Sequence, residues 1–427
     1  MIHDLIVCGG GPAGTGLFVH AMRHNALDAF LAPGVLLVER SAQLGAGSLA
    51  HYRIEANSLG GAFLEALDDD GVDPRLAALR DHSSVAAVRA LAGTTPPLPV
   101  VGEYLRELGT VVGEAIASHP GGDVRLGTRV DAIRLLPAGG AEVRMVDEAT
   151  GAADTATART VVVATGGQPR PLDRIKLRDD LNLWHYLDKS VHSSALIDRR
   201  AELAALGPNP RVVVVGGAHS AWSVAHLLLE EELLGERPHV TVLHRSPLRL
   251  FYTSTAMAAA EGYPFDTEDV CPLSGRVNRY SGLRGRAKDL AARTMGLAGT
   301  RPSTLDVLPI TPDAPRRTYT DVLAAADLVV AATGFDGAVP PVTGRDGESL
   351  RLLTTADGHA VDADGHLVDE SGRSVPELVA FGLGCGLRVS SAVGGEPRFR
   401  GRADGVWLYQ HDVASVITST LRRPAIV

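Results

Sequence analysis

Short, fully apolar runs that break at glycine set the rhythm of this chain. Asp4 to Cys8 is one such run and stops at Gly9. A helical pattern follows from about Gly14 to Arg23, and a second apolar run, Val35 to Val38, ends in Glu39-Arg40. Strands covered by helices on both faces read this way, because neither side of the pleat meets water. The grammar returns in the middle of the chain. Arg211 to Val215 is apolar, Gly216 to Ala221 is a turn, Trp222 to Leu234 has helical spacing, and His239 to Leu243 ends in His244-Arg245-Ser246. Two further runs finish alike, in Ala164-Thr165-Gly166 and in Ala332-Thr333-Gly334-Phe335. A last one, Leu378 to Phe381, enters Gly382-Leu383-Gly384-Cys385-Gly386.

The stretches between are less regular. Residues 44–65 read as loop then helix, and 68–98 as helical. Gly102 to Ser118 is a helix with Tyr104, Leu105, Leu108, Val111 and Val112 on its apolar face. Val124 to Leu135 and Ala141 to Val146 alternate like antiparallel strands around a Pro137-Ala138-Gly139-Gly140 turn. Residues 168–210 read as a linker, 250–310 as a helical and loop insertion, and Gly405 to Leu421 as a closing helix.

The two glycine turns carry the first chemical expectation. In Gly9-Gly10-Gly11-Pro12-Ala13-Gly14, Gly9 permits a tight turn, Gly11 admits a pyrophosphate, and Gly14 lets helix and strand approach closely. The helix N-terminus then offers free N–H groups to the phosphates. Glu39, at the end of the next strand, can accept both ribose hydroxyls, and its charge repels a 2′-phosphate. This turn is expected to hold FAD, with Arg40, Val130, Thr165, Gly166 and Gly384 as further contacts. The second turn is Gly216-Gly217-Ala218-His219-Ser220-Ala221. Its strand end has no acid but Arg245 and Ser246, which suit a 2′-phosphate. NADPH is expected here, on Gly216, Ala218, His219, Ser220, Ala221, Arg245, Ser246 and Gly334.

Composition narrows the partners. Forty-one basic residues against fifty acidic ones give a net charge of -9, with no basic block, which argues against nucleic acid. No apolar stretch has the length of a membrane span and the start is not a secretory signal, so the expected location is the cytoplasm. Cys8, Cys271 and Cys385 stand far apart, with no Cys-x-x-Cys redox pair. No His, Cys or carboxylate cluster has metal-ligand spacing. A homo-oligomer is left open.

Taken together, these motifs resemble those of the class B NADPH-dependent flavin monooxygenases, especially the N-hydroxylating lysine and ornithine monooxygenases and the flavin-containing monooxygenases. His192-Ser193-Ser194 is similar to an element those enzymes carry before their second domain. Asp327 to Phe335 resembles their Asp-x-x-x-[Leu/Phe]-Ala-Thr-Gly-Tyr signature, with Ala331 and Phe335 as departures. Tyr52-Arg53-Ile54-Glu55-Ala56-Asn57-Ser58 is similar to the stretch that places an Asn beside the flavin. The resemblance implies an α/β fold with two Rossmann-like dinucleotide-binding domains, a glutathione-reductase-like FAD domain and an inserted NADPH domain. The FAD domain would comprise residues 1–170 and 336–427, the NADPH domain 205–335, and the linker 171–204. It implies a C4a-hydroperoxyflavin made with O2 that oxygenates an amine nitrogen or a sulfur of a small molecule. Asn57, His192 and Thr333 are its catalytic candidates. The family's amino-acid contacts have no counterpart in 250–310, and the Baeyer–Villiger fingerprint is absent. A reductase passing electrons to a quinone or protein partner, and a non-catalytic flavin-binding protein, are the other readings.

Overall fold

The computed structural model describes residues 2–196, 198, 203–230, 238–355 and 358–422. Its apolar runs pair into two sheets. In the larger, the strands Ser374–Ala380, Ala153–Val163, Ile2–Cys8, Val35–Val38 and Gly122–Arg125 lie parallel in that order. Ala153–Val163 also pairs antiparallel with Ala141–Asp147, which pairs with Thr128–Leu135. The smaller sheet is all parallel, in the order Ser190–His192, Leu328–Ala331, Arg211–Val215, His239–His244 and Leu305–Pro309. In both sheets the glycine turns follow the carboxyl ends of central strands, where α/β folds bind ligands.

The helices bury their apolar stripes on these sheets. Pro12–Arg23, Leu98–Ala117 and Asp412–Arg422 share one core with the larger sheet. His219–Glu230 and Gly285–Thr294 share another with the smaller. Leu98–Ala117 lies close against the 44–50 loop: a Cβ at Gly45 would stand 1.8 Å from the Leu105 carbonyl oxygen, and one at Gly102 2.6 Å from the Ala50 Cβ. That loop is fastened to the first turn by the Gly45 amide donating to the Gly10 carbonyl at 2.8 Å.

Several expectations are corrected. The run Val124 to Leu135 is two strands, Gly122–Arg125 and Thr128–Leu135, because Gly127 turns the chain at φ +60°. Residues 68–98 hold short helices, Pro74–Ala77 and Ser83–Arg89, the first restarted by Pro74 and capped by the Asp73 side chain. The closing helix is broken into Val406–Gln410 and Asp412–Arg422 by non-helical backbone at His411. Strands lie in stretches read otherwise: Lys176–Arg178, Leu181–Asn182 and Ser190–His192 in the linker, and Leu305–Pro309 in the insertion. Ser190–His192 and Leu305–Pro309 are edges of the smaller sheet; the first holds one apolar residue, Val191, and the second is interrupted by Asp306, so neither presents the continuous apolar run that betrays a central strand. The central helix is described as His219–Glu230, and the expected end at Leu234 lies outside the described residues.

The chain crosses between the sheets twice, and the crossings pair. Gly167–Pro169 and Phe335–Gly337 form a two-stranded antiparallel ribbon. Thr165 Oγ1 donates to the Ala338 carbonyl at 2.7 Å, and Arg170 Nε to Asp336 at 2.9 Å.

Candidate functional site: two glycine turns across a cleft

The two turns are built on one plan. Gly9 adopts φ +106°, and a Cβ there would lie 2.3 Å from the Ala164 carbonyl oxygen. Gly216 adopts φ +146°, and its Cβ would lie 2.4 Å from the Ala332 oxygen. The two Ala-Thr-Gly strand ends are therefore the floors on which the turns rest. Gly14 is packed against the turn itself, its Cβ position 1.8 Å from the Gly9 oxygen. At Gly11 a Cβ would meet only the Gly47 Cα, at 3.7 Å, so the backbone stays open at the helix end. No side chain caps that helix, which leaves its first N–H groups for an anion.

Glu39 fits a ribose beside this cradle. Its carboxylate is oriented by the Gly10 amide at 2.7 Å and the Ser41 amide at 2.8 Å, which leaves lone pairs for hydroxyls. Arg40 beside it is exposed. Val130 lies near the start of the strand that leaves Glu39, whose carbonyl accepts from Thr128 N at 2.9 Å. Gly382 brings the last glycine loop to the turn, its Cβ position 2.9 Å from the Ala13 Cβ. Gly384 packs on the crossing ribbon, 2.2 Å from Gly337 N by the same measure. Thr165 spends its hydroxyl on that ribbon, and Gly166 turns at φ +74°.

At the second turn, Ala221 is buried and takes the close-packing place. His244 is buried beneath Gly217 and bonds the Ser246 carbonyl through Nδ1, so Arg245 and Ser246 point outward and exposed. Ala218 is exposed and Ser220 half-buried. His219 differs from expectation: Nε2 meets the Glu55 carbonyl at 2.9 Å and the Ser223 hydroxyl at 3.2 Å. Burial lowers its pKa to about 4, so the ring is neutral near pH 7 and offers no charge to a phosphate. It ties the second turn to the Tyr52–Asn57 segment.

His192 ends its strand opposite Ala331, and burial lowers its pKa. Thr333 is half-buried and Gly334 exposed at the same end of the sheet. Asn57 lies elsewhere, accepting from Arg284 Nη1 at 3.4 Å. His192 and Thr333 thus belong to the second turn, and Asn57 to the first unit's edge. A cleft is lined by Tyr52, Arg53, Ser193, Ser194, Ser220 and Phe335, so both units face it. Arg284 and Glu396 carry no motif of their own and are brought in from the insertion and the final loop.

Residues 3–263 match the pyridine nucleotide-disulphide oxidoreductase family. The chain belongs to that family. Its three cysteines are buried and free, so disulphide exchange within this chain has no thiol pair to use. The chain is 38% identical over 431 residues to the CMP-5′-(3-aminopropyl)phosphonate hydroxylase of Streptomyces rubellomurinus, covering 97% of this chain and 96% of that protein. Its fold is shared with the cadaverine monooxygenase of the desferrioxamine pathway of Erwinia amylovora, solved with FAD, at a TM-score of 0.61 and 14% identity, over 99% of this chain and 95% of that one. It is shared likewise with the ornithine N-hydroxylase of Kutzneria sp. 744, solved with reduced FAD, NADP+ and L-ornithine, at 0.56 and 17%, over 99% of each chain. The resemblance to N-hydroxylating flavin monooxygenases and the α/β two-nucleotide fold expected from the motifs both stand. Among the described residues no helix is long and apolar enough to cross a membrane.

Proposed function

We propose that this chain is an FAD- and NADPH-dependent monooxygenase that hydroxylates the amine nitrogen of a small molecule with O2. The observation that carries this reading is the full-length relationship to a hydroxylase whose substrate bears a primary amine. The paired turns support it, the first with an open helix end and each with a strand end suited to its own ribose. FAD would lie on Gly9 to Gly14 with Glu39, within residues 1–170 and 336–427. NADPH would lie on Gly216 to Ala221 with Arg245 and Ser246, in a unit that starts at the edge strand Ser190–His192 and runs to 335. The chemistry supplied by a bound FAD would be hydride acceptance from NADPH and activation of O2. The chain's own task is to orient and to exclude water. Asn57 borders the flavin site, and Tyr52 and Phe335, with ring centroids 6.4 Å apart, close the cleft. The amine borne by the substrate of the 38% identical relative makes nitrogen the preferred acceptor over sulfur.

The test is product stoichiometry. The FAD-loaded protein is given NADPH, O2 and a panel of primary amines and thioethers, and hydroxylamine, sulfoxide and hydrogen peroxide are counted against NADPH consumed. Hydroxylamine close to one per NADPH with some amine supports the reading. Peroxide alone with every amine, together with rapid reduction of a quinone, would replace it with a reductase.

A further inference from the structure

Arg284 is a cation held in place without an anion. Its Nη2 donates to the Arg279 carbonyl at 2.6 Å, and its Nη1 to the Gly282 carbonyl at 3.1 Å and to Asn57 Oδ1 at 3.4 Å. Its guanidinium lies over the Phe251 ring, 3.8 Å from the centroid. These contacts use three of five N–H donors. Among the described residues, Nε–H and one Nη2–H have no acceptor, and no carboxylate stands at ion-pair distance.

The neighbouring carboxylates are committed elsewhere. Glu396 is buried and accepts from Tyr280 N at 3.0 Å, Ser281 N at 2.9 Å and Ser281 Oγ at 2.7 Å. Glu55 accepts from Thr95 Oγ1 at 2.7 Å, and from Arg286 N and Nε at 3.0 Å each. Arg279 is paired with Asp412 at 3.4 Å. Burial lowers the Arg284 pKa to about 10; the Glu396 charge opposes this and Arg276 and Arg279 add to it, which leaves Arg284 charged at neutral pH. A fixed guanidinium with two open donors is built for an oxyanion.

We propose that Arg284 is the substrate's anion receptor: it binds the phosphonate or phosphate-ester oxyanion of the amine substrate one side chain away from Asn57, and so selects amines that carry such a group. This rests on the monooxygenase reading and names its substrate class. The 38% identical relative acts on CMP-5′-(3-aminopropyl)phosphonate, which carries both an amine and that oxyanion. Amine oxidation alone needs no such receptor. A short chain between the two groups would place nitrogen at the flavin edge while the oxyanion stays on Arg284.

The experiment is calorimetric binding to the full-length FAD-loaded protein, with 3-aminopropylphosphonate, its CMP ester and propylamine as probes. The wild type should bind one or both phosphonates at least about tenfold more tightly than propylamine, the stronger of the two telling whether the free group or the ester is read. Arg284→Gln should abolish the preference, and Arg284→Lys should keep part of it. The KM for NADPH should stay within about twofold, since the dinucleotide lies on the other turn. A preference that survives Arg284→Gln overturns the proposal, as does an NADPH KM that rises in step. Should Arg284→Gln lose FAD, Arg284→Lys decides: a phosphonate affinity equal to wild type overturns the assignment. Because binding is read without turnover, a wild type that prefers phosphonates yet forms no hydroxylamine keeps the receptor and loses the monooxygenase. Hydroxylation without any phosphonate preference does the reverse.

Discussion

Gly9 and Gly216 show how much one missing Cβ decides. Both have positive φ and both rest on a carbonyl of an Ala-Thr-Gly strand end. An alanine at either place meets strain of about 1–3 kcal/mol and a backbone collision that only displacement of the turn relieves. Gly9→Ala should therefore yield protein lacking the flavin absorbance band. Gly216→Ala should keep FAD and raise the KM for NADPH by about tenfold or more. Equal loss of flavin in both variants would refute the division of labour. Titrating residues set a second expectation. His20 and His219 are lowered by burial to about 4 and His411 to about 3, from 6.5, so the unfolded chain binds more protons between those values. Stability then rises with pH from about 4 to about 6.5 and is fully present above that. Asp404, raised by burial to about 7 from 3.8, acts in the opposite sense across this window. Three groups outweigh one, so urea midpoints should increase from pH 4.5 to pH 6.5, and Asp404→Asn should steepen the increase. A flat profile would contradict these shifts.

At the scale of elements, the legible parts were those buried on both sides. Ile2–Cys8, Val35–Val38, Arg211–Val215 and Leu328–Ala331 are apolar at nearly every position, and helices covering them leave no other solution. Ser190–His192 and Leu305–Pro309 were hidden because an edge strand needs few apolar residues. Helix ends depend on remote partners as well. Gly285–Thr294 begins at Arg284 with no local side-chain cap. Glu55 supplies one from 231 residues away, accepting the Arg286 amide at 3.0 Å. Glu55→Gln should cost about 0.5–1 kcal/mol at this helix end. Amide hydrogen exchange should speed up across 285–294 and stay unchanged across 12–23; uniform change across both would show that Glu55 does not cap this helix.

For the whole molecule, many polar contacts join the two units, and His219 makes the one at the second turn. Its bond to the Glu55 carbonyl joins the second turn to the segment that carries Asn57. His219→Ala should leave FAD content unchanged and slow flavin reduction by NADPH by about tenfold, as the dinucleotide loses its register against the flavin. Stopped-flow absorbance measures this, and an unchanged rate would make the bridge merely structural. The sequence by itself determined the two turns, their strands, the acid at Glu39 against the base at Arg245, and the absence of a cysteine pair, because each rests on neighbours within one βαβ unit. Only the tertiary structure decided that His219 is a neutral clamp, that Glu55 caps a distant helix, and that Arg284 stands beside Asn57 with its charge unmatched. Those depend on side chains far apart in sequence sharing one low-dielectric space, where every donor and charge must find a partner from whatever the fold brings near.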